Sequence, residues 1–174
     1  MRFIDEAVIE ISSGDGGNGC LSFRREKFIP KGGPDGGDGG KGGDINFIAK
    51  ESLHTLQDFK LKRKYKAKNG GQGKGKNMHG KDGIDTLLEV PMGTILINDE
   101  TDEILCDLIN SNQLYTAVRG GKGGLGNARF KSSTNRAPRK TTEGKNGEIV
   151  KVRLELKVLA DVGLLGKPNA GKST

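Results

Sequence analysis

The last nine residues of the chain carry the clearest chemical motif. Residues 166–173 read GKPNAGKS and match GxxxxGK[ST], the pattern of a phosphate-binding P-loop, and an apolar run at 158–165 precedes them as a P-loop's strand would. In such a loop backbone N–H groups surround phosphate, Lys172 places positive charge at the β/γ oxygens, and the Ser173 hydroxyl ligates Mg²⁺. The predicted nucleotide-binding residues are Gly166, Lys167, Pro168, Asn169, Ala170, Gly171, Lys172, Ser173 and Thr174.

The sequence stops at Thr174, directly after this motif. A P-loop holds phosphate when it packs between its strand and the helix that follows it, and no such helix is present in these residues. We therefore expect this chain alone neither to bind nor to hydrolyse nucleotide, and we predict no catalytic residue in it. We expect residues 158–174 to be the beginning of a second domain. The apolar run 158–165 is a candidate for self-association of an otherwise monomeric chain.

A second group of candidate residues is basic. The net charge of +7 and the isoelectric point near 9.4 favour a polyanionic partner. Arg136 and Arg139 are the strongest candidates, because they bracket Pro138 in a stretch too polar for a core. Taken singly, each basic residue is more often a solvated surface charge than a contact. The candidate phosphate contacts are Arg136, Arg139, Lys27, Lys31, Lys76, Lys81, Arg24, Arg25, Lys74, Lys122, Arg129 and Lys131.

Glycine-rich stretches must position these basic residues. Of the 29 glycines, 25 lie in three clusters, within 14–43, 70–83 and 120–147, and many recur at every third position. A period of three is that of a polyproline-II helix, and glycine at every third position lets neighbouring backbones approach closely. Flexible linkers are the alternative interpretation. We favour six glycine-rich threads packed side by side at one end of the molecule, formed by loops at about 13–43, 69–83 and 119–147.

Short apolar alternations between the clusters predict a mainly β fold, a small barrel or sandwich without a substantial α-helix. A single helical turn capped by Ser52 is expected within 52–59, and we expect Asn127 and Phe130 to close the third loop back onto the β scaffold. The predicted strands are 2–12, 20–23, 44–50, 85–91, 93–99, 103–109, 113–118 and 147–158.

One further predicted strand stands out by its charge. Residues 59–68 read FKLKRKYKAK, and as a strand this stretch places five lysines on one face. Protection of a sheet edge against aggregation explains one such strand. However, no acid occurs between Lys60 and Lys81, which leaves an unbalanced field of nine basic residues.

Other features narrow the class of protein. Cys20 and Cys106 are the two cysteines and are far apart, which suggests free thiols in a reducing cytoplasm. The N-terminal stretch has no long apolar run, so we expect no signal peptide and no membrane span.

Several long motifs resemble the Obg family of bacterial GTPases across the whole chain. They include MRFIDEAVIEISSGDGGNGCLSFRREKFIPKGGPDGGDGGKGGD, GKDGIDTLLEVPMGT, GGKGGLGNARFKSSTNRAPRKTTEGKNGE and LELKVLADVGLLGKPNAGKST. The resemblance implies an Obg domain at 1–157, in which a β-barrel carries six glycine-rich helices of polyproline-II type. It also implies that 158–174 are the first strand and P-loop of a GTPase domain.

The resemblance also implies a function. The longer protein would bind GTP or GDP with Mg²⁺, hydrolyse GTP, and act in the cytoplasm in assembly of the large ribosomal subunit and in growth and stress control. The basic glycine-rich end would contact ribosomal RNA. A protein-docking or regulatory module is the alternative. The mixed charges of the first cluster, Asp35, Asp38, Lys41 and Asp44, favour that alternative.

Overall fold

The structure is a computed structural model that describes residues 5–27 and 32–157. It contains eight strands in two sheets. The five-stranded sheet has the order β3-β1-β8-β5-β6, and the three-stranded sheet has the order β4-β2-β7. The mainly β prediction is confirmed. The strands are β1 (Glu6–Ser12), β2 (Ile45–Lys50), β3 (Lys64–Lys66), β4 (Thr86–Pro91), β5 (Thr94–Asn98), β6 (Ile104–Leu108), β7 (Leu114–Val118) and β8 (Ile149–Leu156).

The two sheets share one apolar core. Alternation sends every second side chain of each strand inward, so that Ile9 and Leu154 from the larger sheet join Phe47 and Val90 from the smaller one. All four are at most 1% exposed. The chain passes from β4 in one sheet to β5 in the other at Gly93, where φ is +79°, a value that favours glycine. We refer to the two sheets and their shared interior as the β-core.

Three local predictions were wrong. The helix α1 is Gln57–Leu61, and its N-cap is Leu56 without a side-chain hydrogen bond, so Ser52 caps nothing. Because α1 includes Lys60, the lysine-rich strand shrinks to the three residues of β3, and its five lysines do not share one strand face. Residues 20–23 are not a strand; they make one isolated bridge, from Phe23 to Pro34.

The three glycine clusters leave the β-core and return to it as six threads. Outgoing threads continue β1, β3 and β7, and returning threads lead into β2, β4 and β8. All six therefore share one end of the β-core, as the sequence predicted. We number the threads in chain order: 14–19, 36–44, 68–73, 80–85, 120–127 and 142–147.

The segments that join the threads lie farthest from the β-core. They are residues 20–27 and 32–35, residues 74–79, and residues 128–141. We call these segments together the distal tip. An outgoing and a returning thread support each segment, so the position of the tip depends on the rigidity of the bundle.

Candidate nucleic-acid interface

Backbone hydrogen bonds join the threads at intervals of three residues. In thread 2, Gly39 and Gly42 donate to thread 5 at 2.8 and 2.9 Å, whereas Gly40 and Gly43 each donate to thread 3 at 2.8 Å. The N–H of Lys41 points in a third direction, to Asp82 Oδ1 of thread 4 at 2.7 Å. Each residue in a repeat of three thus faces a different neighbour, as in a bundle of polyproline-II helices. The prediction that the threads pack side by side is confirmed, and the linker interpretation is wrong.

Glycine is required because the threads approach one another more closely than a side chain permits. A Cβ atom on Gly39 would lie 1.9 Å from the carbonyl oxygen of Gly17, and one on Gly42 would lie 1.9 Å from that of Gly14. The contacted atoms belong to backbones held in the same hydrogen-bonded network, so they have little freedom to move away. The bundle is therefore a rigid support.

Acidic and amide side chains also hold the threads together, a role that the sequence analysis missed. Asp38 Oδ1 accepts the Gly126 N–H at 2.8 Å, and Asp44 Oδ1 accepts the Gly120 N–H at 2.7 Å. Others accept from neighbouring threads in the same way, at spacings of three residues that the sequence already shows. These are Asp15, Asn18, Asp82 and Asp85, and Asp35 accepts the Lys76 N–H within the distal tip.

The environment of two of these aspartates lowers their pKa. Burial opposes ionisation of Asp38, but the Gly126 N–H, the Arg129 guanidinium and His79 outweigh it, so its pKa falls below the usual value. At Asp44 burial is likewise outweighed, by the bonds from Lys41 and the Gly120 N–H, and its pKa also falls. Both carboxylates are therefore ionised acceptors at neutral pH, bonded within the bundle.

Asn127 closes the distal end of the bundle. Its side chain is fully buried, and Oδ1 accepts the Gly36 N–H at 2.9 Å and the Ser22 N–H at 3.4 Å. Its Nδ2 donates to the carbonyls of Ser22 at 2.9 Å and Pro138 at 3.2 Å. The structural role expected for Asn127 is confirmed, but it binds the segments of the tip to one another, not the third loop to the β scaffold.

The distal tip carries a large excess of positive charge. Its described residues include ten basic side chains and two acids, a surplus of eight against a net charge of +7 for the whole chain. The remaining residues are thus slightly acidic in sum. One of the two acids, Asp35, is buried and accepts the Lys76 N–H. The ten basic residues are Arg24, Arg25, Lys27, Lys74, Lys76, Arg129, Lys131, Arg136, Arg139 and Lys140.

The structure brings several of the predicted contacts together. Arg24, Arg25 and Lys76 line one open cavity of about 360 Å³ together with Asn77 and the acids Glu26 and Asp35. Arg24 donates to Glu26 at 2.9 Å, and that bond raises the pKa of the guanidinium and lowers that of the carboxyl. Basic side chains from two different segments of the tip therefore face the same opening.

The third segment contributes the predicted pair Arg136 and Arg139, both exposed on either side of the buried Pro138. Lys131 reaches toward the first segment, since its Nζ lies 3.8 Å from the position of a Cβ atom on Gly33. Arg129 differs, because its Nε donates to Asp38 Oδ2 at 2.8 Å. That bond assigns Arg129 to the bundle as well as to the surface.

Other predicted residues lie outside this group. Lys81 and Lys122 have exposed side chains on threads 4 and 5, outside the tip. Their carbonyls accept the N–H groups of Gly71 and Lys145. Lys31 and the P-loop residues 166–174 lie outside the described residues, as does the apolar run 158–165. Within the part of the chain that the structure describes, no helix is long and apolar enough to span a membrane, and no cluster of His, Cys, Asp or Glu is arranged to hold a metal ion.

Comparisons of the sequence with family models and with known proteins indicate the same family. A family model described as GTP1/OBG matches residues 4–158. A protein named GTPase Obg from Caldanaerobacter subterraneus subsp. tengcongensis is 61% identical over all 174 residues, which cover 41% of that relative. Proteins of the same name from Thermoanaerobacter sp. (strain X514) and Thermoanaerobacter pseudethanolicus are 60% identical over 172 residues, 99% of this chain and 41% of each. The chain thus spans about two fifths of the length of these relatives.

Proposed function

This chain belongs to the GTP1/OBG family, and we propose that its glycine-rich bundle is a module that binds ribosomal RNA of the large ribosomal subunit. The observation that carries the proposal is the concentration of ten basic side chains on a tip held by a rigid bundle. Lysine and arginine bind RNA phosphates by displacing counterions, so affinity falls steeply as salt rises. A narrow, rigid projection also suits RNA, whose folded surfaces are recognised largely by shape and phosphate contacts.

In this proposal Arg136 and Arg139 contact phosphate directly, and Arg24, Arg25 and Lys76 form a second contact around their shared cavity. Lys27, Lys74 and Lys131 extend the same surface, and Lys31, Lys81 and Lys122 remain candidates from the sequence. Arg129 contributes charge while it holds Asp38.

The proposal for the longer protein is a cytoplasmic GTP hydrolase that acts in assembly of the large subunit and in control of growth and stress responses. Support comes from the names of the relatives and from the motif at 166–173. Lys172 would hold the β/γ-phosphates and Ser173 would ligate Mg²⁺. GTP and Mg²⁺ would supply the phosphate chemistry, while this chain contributes the first part of the site that orients them.

The alternative, a module that docks regulatory proteins, rested on the mixed charges of the first cluster. Three of those charges are accounted for, because Asp38 and Asp44 accept backbone N–H groups inside the bundle and Asp35 accepts one within the tip. They are poorly placed to recognise a separate protein. Nuclease treatment of a pulldown separates the two functions: partners held through RNA should be lost, whereas directly docked proteins should remain.

The direct test is pelleting of this chain with large ribosomal subunits over a range of salt concentrations. Wild-type binding should weaken steeply with salt, and the double variant Arg136→Glu/Arg139→Glu should bind at least about tenfold more weakly. Lys50→Glu/Lys151→Glu, which reverses two charges on the β-core, is the matched control and should bind like wild type. Binding that ignores salt, or equal binding by the tip variant and the control, would overturn the proposal.

A further inference from the structure

A second basic surface lies away from the tip, where α1 and β3 meet. The basic side chains that form this surface are exposed, and the sequence contains no acidic residue from 60 to 81. Two acids from outside that stretch lie against it: Glu10, whose carboxylate is 3.3 Å from Lys64 Nζ, and Asp58 of α1, whose charge acts on Tyr65. We call this surface the edge cluster and define it as Lys60, Lys62, Arg63, Lys64 and Lys66.

The backbone beneath the edge cluster is fixed to the β-core. Phe59 is buried, and its ring lies 5.7 Å from that of Tyr65. The Arg63 carbonyl accepts the Glu10 N–H at 2.7 Å, which ties the start of β3 to β1. Lys62 Nζ lies 4.9 Å from the centre of the Tyr65 ring. The cations are therefore presented on a rigid platform, which limits the entropy lost when they bind a partner.

Edge protection does not account for this cluster. β3 has three residues, and a strand so short is already a poor template for pairing. Lys60 and Lys62 are not in the strand at all, since they belong to the last turn of α1 and its C-cap. A membrane surface does not fit either, because an interfacial helix needs a broad apolar face and Leu61 is a single exposed apolar residue in a five-residue helix.

Thread 3 connects the edge cluster to the basic residues of the tip. Thread 3 begins two residues after Lys66 and leads to Lys74 and Lys76 of the tip. Residues 69–73 of that thread carry no charge, and at about 3.1 Å per residue they separate Lys68 from Lys74 by roughly 20 Å. Thread 3 therefore joins two separate groups of cations, one at the β-core and one at the tip.

We propose that the edge cluster binds the phosphate backbone of an RNA duplex that lies beside the bundle while the tip contacts its own site. The inference rests on the proposed function for the presence of RNA, but it assigns a separate contact on a separate element. The ligand is a run of phosphates on the outside of a duplex, recognised by charge and shape without base readout.

The test measures binding of this chain to a fluorescent RNA duplex of about 20 base pairs as salt is varied. The variant Lys60→Glu/Lys66→Glu keeps the edge charged, so protection against aggregation is preserved. We expect its affinity to fall at least about tenfold and the slope of log affinity against log salt to fall by about one per lost phosphate contact, so by about two. Lys50→Glu/Lys157→Glu has the same net charge at two positions that do not pair with β1 or β3, and it should bind as wild type does.

Two comparisons separate the possible failures. If the edge variant binds the duplex like the control, the edge contact is wrong, and Arg136→Glu/Arg139→Glu in the subunit assay still tests the tip independently. If polyglutamate of matched charge competes as well as unlabelled duplex, the surface is a general polyanion site and the assignment to RNA is overturned. The inference is supported if unlabelled duplex RNA competes better than polyglutamate and if the edge variant loses affinity while the control does not.

Discussion

Individual residues in the bundle act mainly by satisfying or permitting backbone contacts. Glycines allow carbonyl oxygens to approach to distances that exclude a methyl group, and Asp and Asn side chains accept those N–H groups that face no carbonyl. Because each residue of a repeat faces a different neighbour, a change at one position affects one specific contact. This makes the roles of single residues separable by mutation.

The substitution Gly39→Ala should destabilise the domain by about 3 kcal/mol, because its Cβ would lie 1.9 Å from the Gly17 oxygen and the backbones must move apart. Urea unfolding followed by circular dichroism measures the change. Gly33→Ala is the control, since the nearest heavy atom to its Cβ is Lys131 Nζ at 3.8 Å. Equal stability of the two variants would show that the threads can separate at little cost.

The substitution Asn127→Ala should cost about 3 kcal/mol, because it removes the buried partner of the Gly36 N–H and two carbonyls. It should also weaken subunit binding beyond the effect on stability, since Pro138, between Arg136 and Arg139, loses its hydrogen bond. Asn127→Asp should lose at least as much stability, because it turns a buried carboxylate oxygen toward the carbonyls of Ser22 and Pro138. Wild-type binding by a folded Asn127→Ala protein would contradict the role given to this residue.

At the scale of elements, each thread depends on its neighbours, because none has internal hydrogen bonds of the kind that stabilise an isolated helix. The short α1 similarly depends on burial of Phe59 against the β-core. Ionised carboxylates contribute to this mutual support, so the bundle should respond to acid.

Stability should fall as the pH drops below about 4, the ordinary range of aspartate. The folded-state pKa values of Asp38 and Asp44 are depressed, so the unfolded state binds more protons in this window, and their stabilisation is present above the unfolded value and lost toward the lower folded values. Urea midpoints between pH 7 and pH 2 measure the effect.

The matched pair for this pH prediction is Asp38→Asn against the exposed Glu51→Gln. Asp38→Asn should flatten the acid dependence, because the variant keeps an oxygen for the Gly126 N–H but has no charge to lose. An unchanged pH profile in Asp38→Asn would rule out this carboxylate as a source of the acid response.

At the scale of the whole molecule, the positive surplus and the P-loop motif belong to different segments of the sequence. The positive surplus is on the tip, and the P-loop motif follows β8, which returns from the bundle. RNA binding and nucleotide chemistry should therefore be separable by mutation.

In the longer protein, Lys172→Ala should abolish measurable GTP hydrolysis and leave salt-dependent binding to the subunit within about twofold of wild type, because it removes phosphate binding alone. Arg136→Glu/Arg139→Glu should weaken binding to the subunit and leave GTP hydrolysis within about twofold of wild type. GTPase assays and pelleting measure the two activities, and loss of both in either variant would mean that the domains do not act independently. Calorimetric titration of these 174 residues with GTP and Mg²⁺ should show no binding.

The sequence by itself determined the features that depend on local periodicity. The alternation of apolar residues predicted the ends of β2 and of β4 to β8 to within one or two residues. The three-residue glycine period predicted the threads. Both succeeded because each pattern reflects the backbone geometry of one element. Local pattern failed at 59–68, where burial of Phe59 decides where α1 ends and β3 begins.

The tertiary structure alone decided which atoms meet. No spacing in the sequence reveals that Asp38 accepts the Gly126 N–H or that Asn127 bonds both Ser22 and Pro138. Nor does it reveal that Arg24 and Lys76 line one cavity. Those contacts join residues far apart in the chain, and they depend on how the six threads pack against one another. The period of each thread can be read from neighbouring residues alone, whereas only the packed bundle determines which neighbour each residue of that period faces.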